Sequence, residues 1–256
     1  MPRLGSVDER FLSFNIEMLE VTGGRFWKPY NQKPDTQPAP SQSGTPTGMS
    51  ADMYQYRPPL DLANPRLRKL AAALAPAYVR VSGTWANTTY FQDSDDPPPK
   101  TPPAGFNGVL TRQQWKGVVD FSHAVDAKII SSFATSAGTR DASGVWTPAE
   151  ATKFLAYTRS IGGSIAAAEF MNEPTAAPFA GVPKGYDATS FGHDISVFVP
   201  FIRKAAPEMI ILGPGSVGEG GTLALSAMPG FLKSEDLLRA THYKRAPLSS
   251  KLRLLC

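Results

Sequence analysis

Glu173 is the residue of this sequence best placed to do chemistry. It stands near the end of Ile165-Ala-Ala-Ala-Glu-Phe-Met-Asn-Glu-Pro174, a mostly apolar run that turns polar at Asn172, Glu173 and Pro174. A buried strand that delivers a carboxyl at its C-terminal end is where parallel α/β folds place their reactive groups. Burial there raises a carboxyl's pKa and suits it to general acid work, with Asn172 beside it as a hydrogen-bonding amide. Proline cannot donate to a ladder and biases the residue before it to extended backbone, so the strand is predicted to stop at Glu173. Glu17 lies near the C-terminal end of another predicted strand and is a second site candidate. Glu169 shares strand parity with Glu173 and is expected to be a buried, paired structural residue.

A competing chemistry comes from Gly213-Pro-Gly-Ser-Val-Gly218, a Gly-x-Gly-x-x-Gly directly after a predicted strand. Dinucleotide binding needs that context, and Glu235 or Asp236 lies where a ribose-binding acid would stand. The motif runs on into Glu219-Gly220-Gly221 rather than a helix start. Four predicted strands precede it, whereas such a fingerprint opens its fold. Dinucleotide binding is the lesser reading, and no cofactor is expected. His123, His193 and His242 lack metal-ligand spacing, so no metal is expected either.

The elements that must position these residues alternate along the chain. Phe11 to Leu19 reads as a first strand, followed by a long loop from Thr22 to about Asn64 rich in Pro, Gly, Ser and Thr. Asn64-Pro65 starts a helix, with Asn as the cap and Pro in the first turn. Ala77-Tyr-Val-Arg-Val-Ser-Gly83 is the second strand, and a Pro-rich loop then runs to about Leu110. Thr111 caps a helix to about Asp126, and Lys128 to Ala134 is the third strand. Thr147-Pro148 opens a helix that Gly162-Gly163 closes. The Glu173 strand is fourth, a helix from about Asp187 to Ala205 follows, and Met209 to Gly213 is fifth. This alternation predicts a parallel sheet, and the long loops after the first two strands fit a β/α barrel, whose site is built from such loops. On that reading loops 22–63 and 92–110 share one face with Glu173.

At 256 residues the chain can form one large α/β domain. No window reaches the ~18 apolar residues of a membrane span, and the first residues show no apolar core of a signal peptide. The single Cys256 is terminal and excludes an internal disulfide framework. The formal charge of +4 is carried by the tail: Lys244, Arg245, Lys251 and Arg253 have no acidic counterpart from Ala240 onward, and the remainder balances. Net charge gives no support to nucleic-acid binding.

Phe11-Leu-Ser-Phe-Asn-Ile-Glu-Met18, Leu67-Arg-Lys-Leu-Ala71, Leu74-Ala-Pro-Ala-Tyr-Val-Arg-Val-Ser-Gly-Thr84 and Glu169-Phe-Met-Asn-Glu-Pro174 together resemble glycoside hydrolase family 79, the family of heparanases and β-glucuronidases, in its bacterial form. The resemblance runs in order from about residue 4 to about Tyr243. It implies a (β/α)8 barrel and retaining hydrolysis of β-glucuronides, with a glucuronic-acid-containing oligo- or polysaccharide as partner. By the motif match Glu173 is the general acid/base and Asn172 contacts the sugar 2-hydroxyl. Glu17 falls at the family's acidic sugar-binding position after strand one, and Thr84 at its threonine after strand two. Trp27, Tyr30 and Trp85 are candidates for stacking on sugar rings, and Arg25 and Lys28 for meeting the uronate.

The resemblance also has limits. The family's nucleophile is a second Glu on strand seven, expected to lie beyond this sequence, and its attached β-sandwich is expected to have no counterpart here. After Ser216 there is room for about one more βα unit, so an incomplete barrel of about five to six units is expected over 1–243, with His242-Tyr243 a remnant of strand six and 244–256 an aberrant basic tail. The chain as written is therefore expected not to hydrolyse glucuronides. A non-catalytic carbohydrate-binding remnant is the alternative of a different class.

Overall fold

The computed structural model describes residues 9–28, 53–174, 181–213 and 215. Strand β1 (Leu12–Glu17) passes directly into a short helix α1 (Met18–Thr22), so the first strand ends two residues before the predicted Leu19. The cause is local. The Glu20 carboxylate accepts the Glu17 N–H at 3.0 Å, and the turn buries Met18, Leu19 and Val21. Within the stretch predicted as loop, β2 (Gly24–Trp27) and β3 (Tyr54–Arg57) pair antiparallel. Helix α2 (Pro65–Ala72) starts as predicted, with Asn64 Oδ1 accepting from the N–H groups of Arg66 and Leu67 at 2.9 and 3.1 Å. Such a cap is worth about 1 kcal/mol.

Strand β4 (Ala77–Ser82) is followed by a tight 3-10 turn over Thr84–Thr88. The Pro-rich loop after it also holds structure, a parallel pair formed by β5 (Thr89–Gln92) and β6 (Gly108–Thr111). Helix α3 (Arg112–Ala124) opens with a capping box between Thr111 and Gln114. Strand β7 (Ala127–Ser132) and helix α4 (Ala149–Ser160) follow. Thr147 is the expected cap of α4, but its hydroxyl donates to the Thr139 carbonyl at 2.9 Å, and Pro148 takes the cap position without a side-chain bond. Strand β8 (Ile165–Glu169), helix α5 (Ala188–Ala205, capped by Asp187) and β9 (Ile210–Leu212) complete the described elements.

The five long-range strands form one parallel sheet in the order β1-β4-β7-β8-β9, which is chain order without reversal. A dinucleotide fold reverses its strand order at the binding crevice, so this sheet does not favour that reading. The glycine motif from Gly213 to Gly218 cannot decide it, because Pro214 and residues 216–256 lie outside the described residues.

One face of the sheet carries the helices. Ile16, Val79, Val81, Ile129, Ile165 and Ala168 pack against Trp115, Val118 and Phe121 of α3, Phe154 and Leu155 of α4, and Phe198 and Ile202 of α5. Each fully buried large side chain contributes about 1.5–3 kcal/mol. The opposite face holds a small cluster of Tyr78, Ile130 and Ala167 with no helix against it among the described residues. Strand alternation puts Asn15, Arg80 and Glu169 on that second face. Helices on one face and strands in chain order are the arrangement of a β/α barrel wall; among the described residues the wall does not close.

The fourth strand departs most from expectation. It ends at Glu169 rather than Glu173. Phe170 turns into the helix-side core between Trp146 and Phe198, at ring distances of 5.4 and 5.1 Å, and Met171 is buried beside it. Glu173 then adopts φ = +50°, left-handed rather than extended. Core packing of two consecutive residues breaks the alternation a strand needs, and this outweighs the pre-proline bias.

Candidate active site

Arg80, central in β4, is the hub at the C-terminal end of the sheet. Its Nε and Nη2 donate to Glu169 Oε1 and Oε2 at 3.2 and 2.9 Å, its Nη1 to Asn15 Oδ1 at 3.1 Å, and Nη2 also to Asn172 Oδ1 at 2.8 Å. The two-pronged grip on Glu169 confirms it as a paired residue whose oxygens are committed. Arg80 also fixes the Asn172 amide. With Oδ1 held by the guanidinium, Nδ2 faces Thr84 and donates to its Oγ1 at 3.2 Å. Asn172 and Thr84 are thus neighbours, although 88 positions separate them.

The backbone of Asn172 is fixed as well. Its N–H donates to Asn87 Oδ1 and its carbonyl accepts from Asn87 Nδ2, both at 2.9 Å. Asn87 is fully buried, and its own carbonyl takes the N–H groups of Thr135 and Ser136 at 2.8 and 3.0 Å. Glu173 follows immediately and is half-buried, so the left-handed residue hangs from a fixed neighbour.

Glu17 lies on the same layer, at the end of β1 opposite Ser82. Its carboxyl presses against Gly83, where a Cβ would fall on the carboxyl oxygens, and Gly83 has φ = +101°. Glycine is the residue this close approach and this backbone both allow. Glu17 Oε2 is buried with no hydrogen-bond partner among the described residues. Burial, opposed by the Arg80 charge and reinforced by Glu20 and Glu173, pushes the Glu17 carboxyl up to about 7 from an ordinary 4.5.

The raised pKa has a thermodynamic sign. Below about 4.5 Glu17 is protonated in both folded and unfolded chains. Between about 4.5 and 7 the unfolded chain ionises first while the folded chain keeps its proton, so stability falls as pH rises. The full loss, complete above pH 7, is about 3 kcal/mol. Denaturant melts at pH 5, 6, 7 and 8 are expected to show it, and Glu17→Gln is expected to flatten the slope and to be the more stable form at pH 8. Parallel slopes in both proteins would contradict the assignment.

The aromatic candidates have separate fates. Trp85 is packed edge-on to Phe26 and Tyr54, at 5.3 and 6.3 Å, and ties the β2–β3 pair to the site. Trp27 stacks on Tyr54 at 4.8 Å and remains 40% exposed, so its ring is available to solvent. Arg25 donates to the Tyr54 carbonyl at 3.1 Å. Phe106, in the second long loop, lies against Gly138 of the loop after β7. The described parts of both long loops, 22–28 with 53–63 and 92–110, therefore share the end of the sheet that carries Glu173. Tyr30 and His242 lie outside the described residues, His123 and His193 sit on α3 and α5, and no group of His, Cys, Asp and Glu among the described residues could hold a metal.

Arg80, Asn87 and Gly83 are site residues that sequence reasoning does not single out. Arg80 does leave a signal, a lone charge inside an apolar strand. Asn87 leaves none, because its partner is 85 positions away.

The model of the glycosyl hydrolase family 79 N-terminal domain matches residues 58–221, which include Arg80, Thr84, Asn87 and the Glu169–Glu173 turn but not Glu17. No curated protein matches the sequence. With the matched span covering well over half of the 256 residues, the chain belongs to glycosyl hydrolase family 79.

Proposed function

We propose that this glycoside hydrolase chain serves the retaining cleavage of β-glucuronides on a (β/α)8 frame, with Glu173 as general acid/base. The observation that carries the reading is the fixed Asn172 amide beside Glu173: Arg80 holds its oxygen and Thr84 takes one of its amide hydrogens. Among the described residues the second Nδ2 hydrogen has no partner and is left for a ligand oxygen such as a sugar hydroxyl. In this reading Asn172 and Thr84 contact the sugar, and Glu17 forms the adjoining wall. The half-buried Glu173 delivers a proton to the leaving oxygen and later takes one from water.

Retaining hydrolysis also needs a second carboxyl about 5–5.5 Å from the first. Glu169 spends its oxygens on Arg80 and Glu17 is enclosed against Gly83, so neither is free to attack an anomeric carbon. That observation favours one second reading, a site that binds sugar without cleaving it. Rates with paired aryl β-glucuronide and aryl β-glucoside substrates, together with calorimetric binding of D-glucuronate and D-glucose, separate the readings. The first reading expects turnover restricted to the glucuronide, with the nucleophile supplied by a carboxyl outside the described residues, against the inactivity expected from the sequence. Glucuronate binding without turnover of either substrate would establish the second reading, and preference for the glucoside would remove the uronide assignment.

A further inference from the structure

Glu173 carries two backbone costs at once. A non-glycine residue at φ = +50° is uncommon, and a residue before proline is further restricted. Strain of this kind persists where the surroundings over-determine the backbone. Among the described residues, the residue before Glu173 is held by hydrogen bonds on every polar group. All four polar groups of Asn172 are bonded: Oδ1 to Arg80, Nδ2 to Thr84, and both backbone groups to the single side chain of Asn87.

The Asn87 amide bonds to Asn172 as a neighbouring strand would. β8 ends at Glu169, one backbone bond from the Phe133 N–H to the Phe170 carbonyl follows at 3.4 Å, and at Asn172 this side chain takes the ladder's place with one acceptor and one donor in a single plane. A carboxylate in its place offers two acceptors, and an aliphatic residue offers neither. Asn87 is itself held, since its carbonyl receives Thr135 and Ser136 N–H and the residue has no exposed surface. The loops after β4, β7 and β8 therefore meet on one residue.

We propose that Asn87 is the positioning residue of the site: its amide holds the Asn172 backbone and so keeps Glu173 in the left-handed conformation that aims its carboxyl at the ligand. Asn87 touches no substrate and acts through Asn172 and Glu173. The proposal rests on the sugar-site reading above only for its functional consequence.

The test compares the full chain with Asn87→Ala and Asn87→Asp, by amide hydrogen exchange and by calorimetric titration with D-glucuronate. In Asn87→Ala the Asn172 amide is expected to exchange at least tenfold faster while Glu169, inside β8, keeps its protection. Glucuronate affinity is expected to fall about tenfold or more in the same protein. Asn87→Asp is the diagnostic variant. Ionised, it faces the Asn172 carbonyl with a second acceptor and should behave like Asn87→Ala. Protonated, it regains one donor and one acceptor, so affinity should return toward wild type as pH is lowered from 8 to 5. A purely structural role would give no such recovery in affinity beyond what the wild type shows. Asn87→Asp also covers the case in which Asn87→Ala does not fold. Unchanged Asn172 protection and affinity in the variants would overturn the proposal. If the wild type binds no glucuronate yet Asn87→Ala still frees the Asn172 amide, the sugar-site reading fails, and Asn87 loses the functional role assigned here.

Discussion

Replacing Glu173 by Gln is expected to abolish most turnover of a β-glucuronide with a poor leaving group while leaving sugar binding nearly intact. The side chain keeps its size and its place after Asn172, so the Arg80, Thr84 and Asn87 bonds to Asn172 are untouched. What disappears is the proton. General acid–base assistance contributes about 10²–10⁴-fold, and its loss weighs most where the leaving oxygen is most basic. An aryl glucuronide with a strongly acidic phenol needs little protonation, so its first step should fall far less. Where a carboxylate outside the described residues forms the glycosyl-enzyme, the slow step becomes attack of water on that intermediate, which also needs the base. Azide, a nucleophile that needs no base, is then expected to restore turnover of the activated substrate and not of the poor one. Equal losses for both substrates, with no azide effect, would remove Glu173 from the acid/base role.

The framework of this site is legible in the sequence because it rests on short-range signals. β4 announces itself by Val79 and Val81 alternating with Tyr78, Arg80 and Ser82, and α2 and α3 by their caps at Asn64 and Thr111. Glu173, Asn172, Glu17 and Thr84 fall at one end of the sheet because strand ends are readable from apolar runs. The β2–β3 and β5–β6 pairs are not legible. Each strand has four residues, and its pairing partner lies across a long loop, so no local periodicity marks it. The end of β8 misleads for a different reason. A pre-proline rule acts on one residue, whereas Phe170 and Met171 bring two large side chains into a core that already contains Trp146 and Phe198. Packing of that size overrides a dihedral preference. The bonds that fix Asn172 are wholly non-local, and apart from the lone charge of Arg80 inside an apolar strand the sequence carries no trace of them.

The largest effect on stability is expected from Asp194→Asn, which touches none of the site residues. Asp194, on α5, and Arg140 form an ion pair at 2.9 Å, with side chains 1% and 4% exposed. The Asp194 carboxylate also accepts the Trp146 N–H at 2.9 Å and the Tyr186 hydroxyl at 2.8 Å. Burial first, and the Asp194 charge second, push that Tyr186 hydroxyl well above its ordinary pKa, so it stays a donor across the working range. Arg140 in turn gives Nε and Nη2 to the Thr135 carbonyl at 3.1 and 2.8 Å. Thr135 N–H is one of the two that hold the Asn87 carbonyl, so this buried cluster braces the loop behind the site. Removing one charge of a buried pair leaves the other uncompensated and costs about 3–5 kcal/mol. For a chain of this size that lowers the melting temperature by about 10 °C, a large share of the whole stability. Replacing both partners by apolar residues of similar volume, Asp194→Leu with Arg140→Met, is expected to cost less than Asp194→Asn alone, because no charge is then buried unpaired. Thermal melts of the three proteins decide it: a double variant less stable than the single one would show that the pair contributes more than it costs to bury.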